Sequence, residues 1–206
     1  MRLATAILLL ALLASPAHAR LDSAWHALPR GVAADSIGRI LLRWEARGGP
    51  GVSGGEAGFA RGQFHYARGE YELAAAAYLR AASRLPGAER LSARYGWALA
   101  TLALGRAGAA RPAFDEVAQS AAPEQALALL GSAECWEAEG EPQRAFTELA
   151  ELLALPPSEA GPAALERTAA LAARMHREGD AAAALGRLRR EYPRSLEAAR
   201  AGGAAR

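Results

Sequence analysis

Apolar and polar positions divide the chain into three kinds of stretch. Leu3 through Ala14 form an apolar run behind a single positive residue, Arg2. Ile37, Ile40, Leu41 and Trp44 then follow i, i+3, i+4, i+7 spacing, which places them on one stripe of a helix. After the glycine-rich stretch Gly48 to Gly55 the pattern starts to repeat. A glycine recurs at Gly69, Gly105, Gly140 and Gly179, and five residues after each stands Ala74, Ala110, Ala145 or Ala184. Nine residues after each glycine comes a large apolar side chain: Tyr78, Phe114, Leu149 or Leu188. Prolines close the units at Pro86, Pro123, Pro156-Pro157 and Pro193.

This pattern has a direct physical reading. Glycine accepts the left-handed conformation that closes a helix, so each marks the end of the first helix of a pair. The small alanine sits where two helices approach closely, and a bulky residue there would cost roughly 1–3 kcal/mol in overpacking. The large residue fills the space between neighbouring units, worth roughly 1.5–3 kcal/mol when fully buried. Proline stops the second helix from running on. Composition agrees, since the chain is 51% hydrophobic but only 6% aromatic. Alanine and leucine carry the apolar character, and both favour helix over strand.

The repeat resembles the tetratricopeptide repeat. In the first unit Gly62 precedes Gly69-Glu70-Tyr71, followed by Ala74, Tyr78, Ala81 and Pro86 at the family's spacing. The third unit carries Ala133, Trp136, Gly140, Ala145, Leu149, Leu152 and Pro157. The resemblance implies an all-α, right-handed α-solenoid of about four helix-turn-helix units with terminal capping helices. Two units depart from the pattern. Pro112 falls inside a second helix, where it should cause a bend, and Arg174 takes a position that is usually small, as on a terminal repeat with a polar outer face. The resulting division is 1–19 signal peptide, 20–47 N-terminal helical cap, 48–55 flexible linker, 56–193 repeat array and 194–206 C-terminal tail.

Export is read from the N-terminus. The apolar run is shorter than the roughly 20 residues that span a bilayer. Pro16 breaks it before Ala17-His18-Ala19, an A-x-A cleavage pattern. Cleavage after Ala19 and a periplasmic or secreted location are expected. No cysteine follows the run, so no lipid anchor is expected at the new terminus. The alternative is an uncleaved signal holding the array at the inner membrane. All 24 positive residues are arginine, against 22 acidic ones. That balance gives no basic face for nucleic acid. Cys135 is the only cysteine, so packing alone stabilises the chain.

Candidate chemistry is sparse. Glu134, Glu137 and Glu141 are spaced i, i+3, i+7. Paired carboxylates there could serve a glycan-acting enzyme, though a solvated acidic face is the plainer reading. His26, His65 and His176 stand in no metal-binding spacing, and no phosphate-binding or nucleophile motif occurs. No cofactor and no metal is therefore expected. Cys135 reads as a small buried hydrophobe. Arg187, Arg189, Arg190 and Arg194 around Tyr192 read as a solvated terminal face.

The family resemblance implies that first helices line a surface that receives a peptide or a helix. The matching positions are Phe59, Gln63 and Tyr66 in the first unit and Tyr95, Leu99 and Leu102 in the second. The third contributes Leu130, Glu134 and Glu137. Leu99, Leu102 and Leu130 are expected in the core, which leaves Phe59, Gln63, Tyr66, Tyr95, Glu134 and Glu137 as partner-binding residues. The lysine- and asparagine-based clamp of some family members is absent. The segment Arg189 to Ser195 is similar to the repeat ends of periplasmic envelope-assembly proteins. The expected function is a non-catalytic scaffold or adaptor for a protein or peptide partner of the bacterial cell envelope.

Overall fold

The computed structural model describes residues 21–120 and 122–203. The signal peptide read at 1–19 lies outside the described residues. Among those described there are eleven helices and no strand, only an isolated bridge between Gly49 and Val52. The chain divides into two compact units, Met1–Ala128 and Leu129–Arg206. The first holds α1 (Ser23–Ala27), α2 (Ala34–Arg47), α3 (Gly54–Ala67), α4 (Tyr71–Ala82), α5 (Gly87–Ala103) and α6 (Ala107–Ala118). Helix α7 (Gln125–Ala138) begins in the first unit and ends in the second. There it is followed by α8 (Pro142–Ala154), α9 (Gly161–Arg174), α10 (Glu178–Glu191) and α11 (Leu196–Gly203).

The first helix of each hairpin ends by the same device. Gly69, Gly105 and Gly140 have φ of +74°, +75° and +78°. At each, the next amide reaches back across the turn: Glu70 N–H to His65 O at 2.9 Å, Arg106 to Thr101 at 3.1 Å, Glu141 to Trp136 at 2.8 Å. These are Schellman closures, which satisfy carbonyls the helix end leaves open. The fourth closure corrects the expectation placed on Gly179. That glycine lies inside the first turn of α10, while His176 takes the left-handed position with φ +56°. Arg177 N–H reaches Ala172 O at 2.8 Å in the same way. The hydrogen-bond pattern sets the turn, and a residue other than glycine adopts it at a cost of roughly 1–2 kcal/mol. The fourth unit's register shifts by three, so Ala181 and Leu185 take the places of Ala74 and Tyr78.

The hairpins pack around aromatic residues in the first unit. Tyr78 is buried with its ring against the backbones of both Gly62 and Gly96, where an added Cβ would sit 2.6 Å from a ring carbon. Pro112 leaves α6 unbroken, and Ala110, Ala113, Phe114 and Val117 are all buried. Pro112 and Gly108, whose carbonyl loses its helical partner, are both on the exposed side. Solvent can therefore satisfy that carbonyl.

Helix α2 lays Leu41 against Ala57 and Ala60 of α3, with Ile37 and Trp44 packed beside them. Its buried Glu45 fixes the docking. Glu45 meets Arg80 Nε at 2.7 Å and Arg61 Nε at 2.8 Å, and its carbonyl accepts from Arg84 at 2.8 Å. The stretch read as a flexible linker is a built turn. Gly49 and Val52 exchange hydrogen bonds at 2.9 and 3.2 Å, and Val52 is buried. Ser53 and Glu56 form a capping box, so Gly54 and Gly55 are already helical.

In the second unit Leu165, Ala169, Ala184, Leu188 and Ala198 form one cluster, with Leu185 and Tyr192 packed against it. The C-terminal tail supplies Ala198 from α11, which docks on α9 and α10.

Candidate partner-binding residues

The structure buries all three aromatic residues assigned to a binding face. Phe59 is 1% exposed and Tyr95 is 0% exposed. Phe59 packs edge-on against Tyr78 at 5.4 Å, and Tyr95 packs the same way against Phe114 at 5.8 Å. The two pairs occupy matching places in successive hairpins. These rings face the second helix of their own hairpin, so they join its helices rather than offer contact area. Tyr66 is also buried, edge-on to Tyr71 at 5.2 Å. Leu99 and Leu130 are buried as expected, while Leu102 is half-buried.

Gln63 is buried for a different reason. The indole Nε1 of Trp25 donates to its Oε1 at 2.6 Å. Helix α1 lies against α3 at this point, with Leu21 and Ala24 fully buried. A short piece of the chain itself thus covers Gln63.

In the second unit Glu134 and Glu137 come together with cations the sequence reading did not assign to them. Arg167 donates through Nε to Glu137 at 2.6 Å and through Nη1 to Glu134 at 2.5 Å. Arg174 adds a further bond to Glu137. The arginine at a position that is usually small therefore serves this network. Burial pushes the Glu134 carboxyl above its ordinary range, Arg167 opposes that, and Glu137 adds to it. The chemistry available is a two-carboxylate, two-guanidinium patch. Glu141 stands apart from it, paired only weakly with Arg144 at 3.9 Å.

Several half-exposed aromatics lie outside the assigned binding positions. Arginine guanidinium groups lie over Phe64 (Arg68, 5.4 Å), Trp97 (Arg94, 5.2 Å), Trp136 (Arg144, 4.6 Å) and Phe146 (Arg177, 4.2 Å). All four rings are half-buried. Two of these pairs were open to inspection: Phe64 and Arg68 stand at i, i+4 and Arg94 and Trp97 at i, i+3, the spacings of helix neighbours. Cys135 is buried, and no group of three or more metal-binding side chains occurs among the described residues.

No protein-family model and no curated protein matches the chain. Solved structures do. One is YrrB, described as a TPR protein with an unusual peptide-binding site. The two share 15% identity over 82% of this chain and 84% of that one, at a TM-score of 0.60. TTC0263, a thermophilic TPR protein of Thermus thermophilus, has 20% identity over 92% and 98%, at 0.63. PilF of Pseudomonas aeruginosa has 19% identity over 88% and 94%, at 0.54. The chain therefore has the tetratricopeptide-repeat fold, an all-α solenoid of helical hairpins.

Proposed function

We propose that this chain is a non-catalytic adaptor of the bacterial cell envelope, binding a peptide or helix of another protein on the face made by its first helices. Repeat hairpins supply rows of similar side chains to an extended partner, and YrrB of the same fold is described as having a peptide-binding site. The observation that carries the reading is the bond from Trp25 to Gln63. An assigned face residue already receives a short helix through one indole donor and buried apolar neighbours. An incoming amphipathic helix would use the same chemistry.

Immobilised full-length chain, exposed to a native envelope extract, should retain a partner that a Glu134→Ala variant loses while its circular dichroism is unchanged. Equal retention by wild type and variant would sink the assignment of the face. The glycan-enzyme alternative gains no support from Glu134 and Glu137, whose carboxylates both hold Arg167. Hydrolysis of envelope glycans by the intact chain, abolished in Glu134→Gln, would overturn the adaptor reading. Periplasmic location rests on the A-x-A pattern. No helix of the described residues is long and apolar enough to cross a membrane. N-terminal sequencing of the envelope-purified protein should begin at Arg20. A start at Met1 would favour an inner-membrane anchor instead.

A further inference from the structure

A cavity of about 370 Å³ opens between α2, α3 and the start of α4. None of the six assigned face residues lines it. Its inner wall holds Arg61, which is only 9% exposed. A buried guanidinium is normally surrounded by acceptors, because its five N–H donors are costly to leave unbonded. Arg61 Nε lies 2.8 Å from one oxygen of Glu45, whose other oxygen is taken by Arg80. That Nε is buried without an aligned hydrogen bond, and the terminal nitrogens of Arg61, which are not buried out of reach of solvent, are open to an acceptor in the cavity. Burial pulls this guanidinium below its ordinary value, against the pull of Glu45.

The rest of the lining narrows what would fit. Leu42 and Leu73 stand on its walls, and they are two of the four large apolar side chains exposed among the described residues. The ring of Phe64 adds apolar surface. Arg39 and Arg68 bring positive charge, while Asp35 and Glu70 oppose it. Glu70 is already held by Arg68 at 2.9 Å and His65 at 2.7 Å. Three arginines against two carboxylates leave one net positive charge in the lining, suited to a monoanion rather than to a phosphate dianion. A carboxylate alone would leave both leucines uncovered. An acidic side chain with an aliphatic neighbour would satisfy Arg61 and cover Leu42 and Leu73 together.

We infer that this cavity is a second partner-binding site, one that takes a glutamate or aspartate flanked by an aliphatic residue from another polypeptide, with Arg61 as the anchor. It is independent of the face proposed above, and either can fail alone.

The test uses the full chain, 15N-labelled, titrated with the blocked tripeptide acetyl-Leu-Glu-Leu-amide and followed by amide NMR shifts. Saturable shifts at Gly38, Leu42, Phe64 and Leu73 are expected. The Gln-for-Glu peptide should bind at least about tenfold more weakly, as loss of a charge-assisted hydrogen bond dictates. Arg61→Gln can weaken the docking of α2, so the deciding variant is the surface pair Leu42→Ser with Leu73→Ser, expected to bind at least about threefold more weakly. Absent or non-saturating shifts, shifts elsewhere, or equal binding of the Glu and Gln peptides would overturn the site. So would unchanged affinity in the double variant. Octanoate or inorganic phosphate binding more tightly than the peptide at the same residues would overturn the peptide occupant.

Discussion

His176 and Gly105 do the same work with different side chains, and substitution separates them. His176→Gly should stabilise the protein by about 1 kcal/mol, because the turn no longer forces a side chain into the left-handed region. Gly105→Ala should destabilise it by a similar amount, although nothing crowds the added methyl. Thermal melts of the two variants check both signs. Gly62→Ala is a packing case. Alanine gains about 1 kcal/mol of helix propensity, but its methyl would strike the ring of Tyr78, which Gly96 holds from the other side. Overpacking of roughly 1–3 kcal/mol should win, so the melting temperature should fall. The recurring glycines made three of the four helix ends legible in the sequence. The fourth carries no glycine because the hydrogen bonds that define the turn tolerate His176 in the left-handed position.

Glu134 makes a prediction in pH. Its carboxyl is raised by burial in the folded state. The folded state therefore holds the proton more tightly than the unfolded one. That contribution to stability is full below the ordinary carboxylate range and is lost as pH rises through the raised value. Subtracting the stability of Glu134→Gln from that of wild type should give a difference that falls with pH across this window. A difference that rises would mean that Arg167 outweighs burial.

At the scale of elements, α1 and the Gly48–Gly55 turn show where composition misleads. A cluster of glycines reads as flexible, yet Ser53-Gly54-Gly55-Glu56 contains the S-x-x-E signature of a helix start, and the capping box is formed. The signal was present and was outweighed by glycine count. Helix α1 left no such mark. Five residues cannot hold a helix alone in water, so its existence depends on what α3 offers it. Trp25→Phe keeps the ring and deletes the donor to Gln63. Amide exchange across Ser23 to Ala27 should accelerate several-fold, consistent with losing about 1 kcal/mol of hydrogen bonding. Unchanged exchange would mean that Leu21 and Ala24 hold the helix by burial alone.

For the molecule as a whole, the architecture was far more legible than the site. Period, closure residues and buried small positions obey packing rules that every hairpin repeats. Binding positions obey no such rule, and Phe59 and Tyr95 illustrate the difference. Each is aromatic at a repeat position associated with binding, yet each fills the space inside its hairpin because a ring of the second helix meets it there. Repeat proteins are stabilised mainly by neighbour contacts. Ala145→Trp, at a fully buried site in the second unit, should lower protection of α8 and α9 amides against exchange. Protection in α3 and α4 should change little. Equal loss in both would show one cooperative unit.

The ion pairs around Glu45 and Glu137 use guanidinium groups alone, because the chain contains no lysine. Reagents that acylate side-chain amines will therefore find no target among these residues and leave every charged cluster described here intact. By the same token, enzymes that acetylate lysine side chains have nothing to act on here. Control through charge would have to act on other groups, such as a phosphorylated hydroxyl or a titrating imidazole.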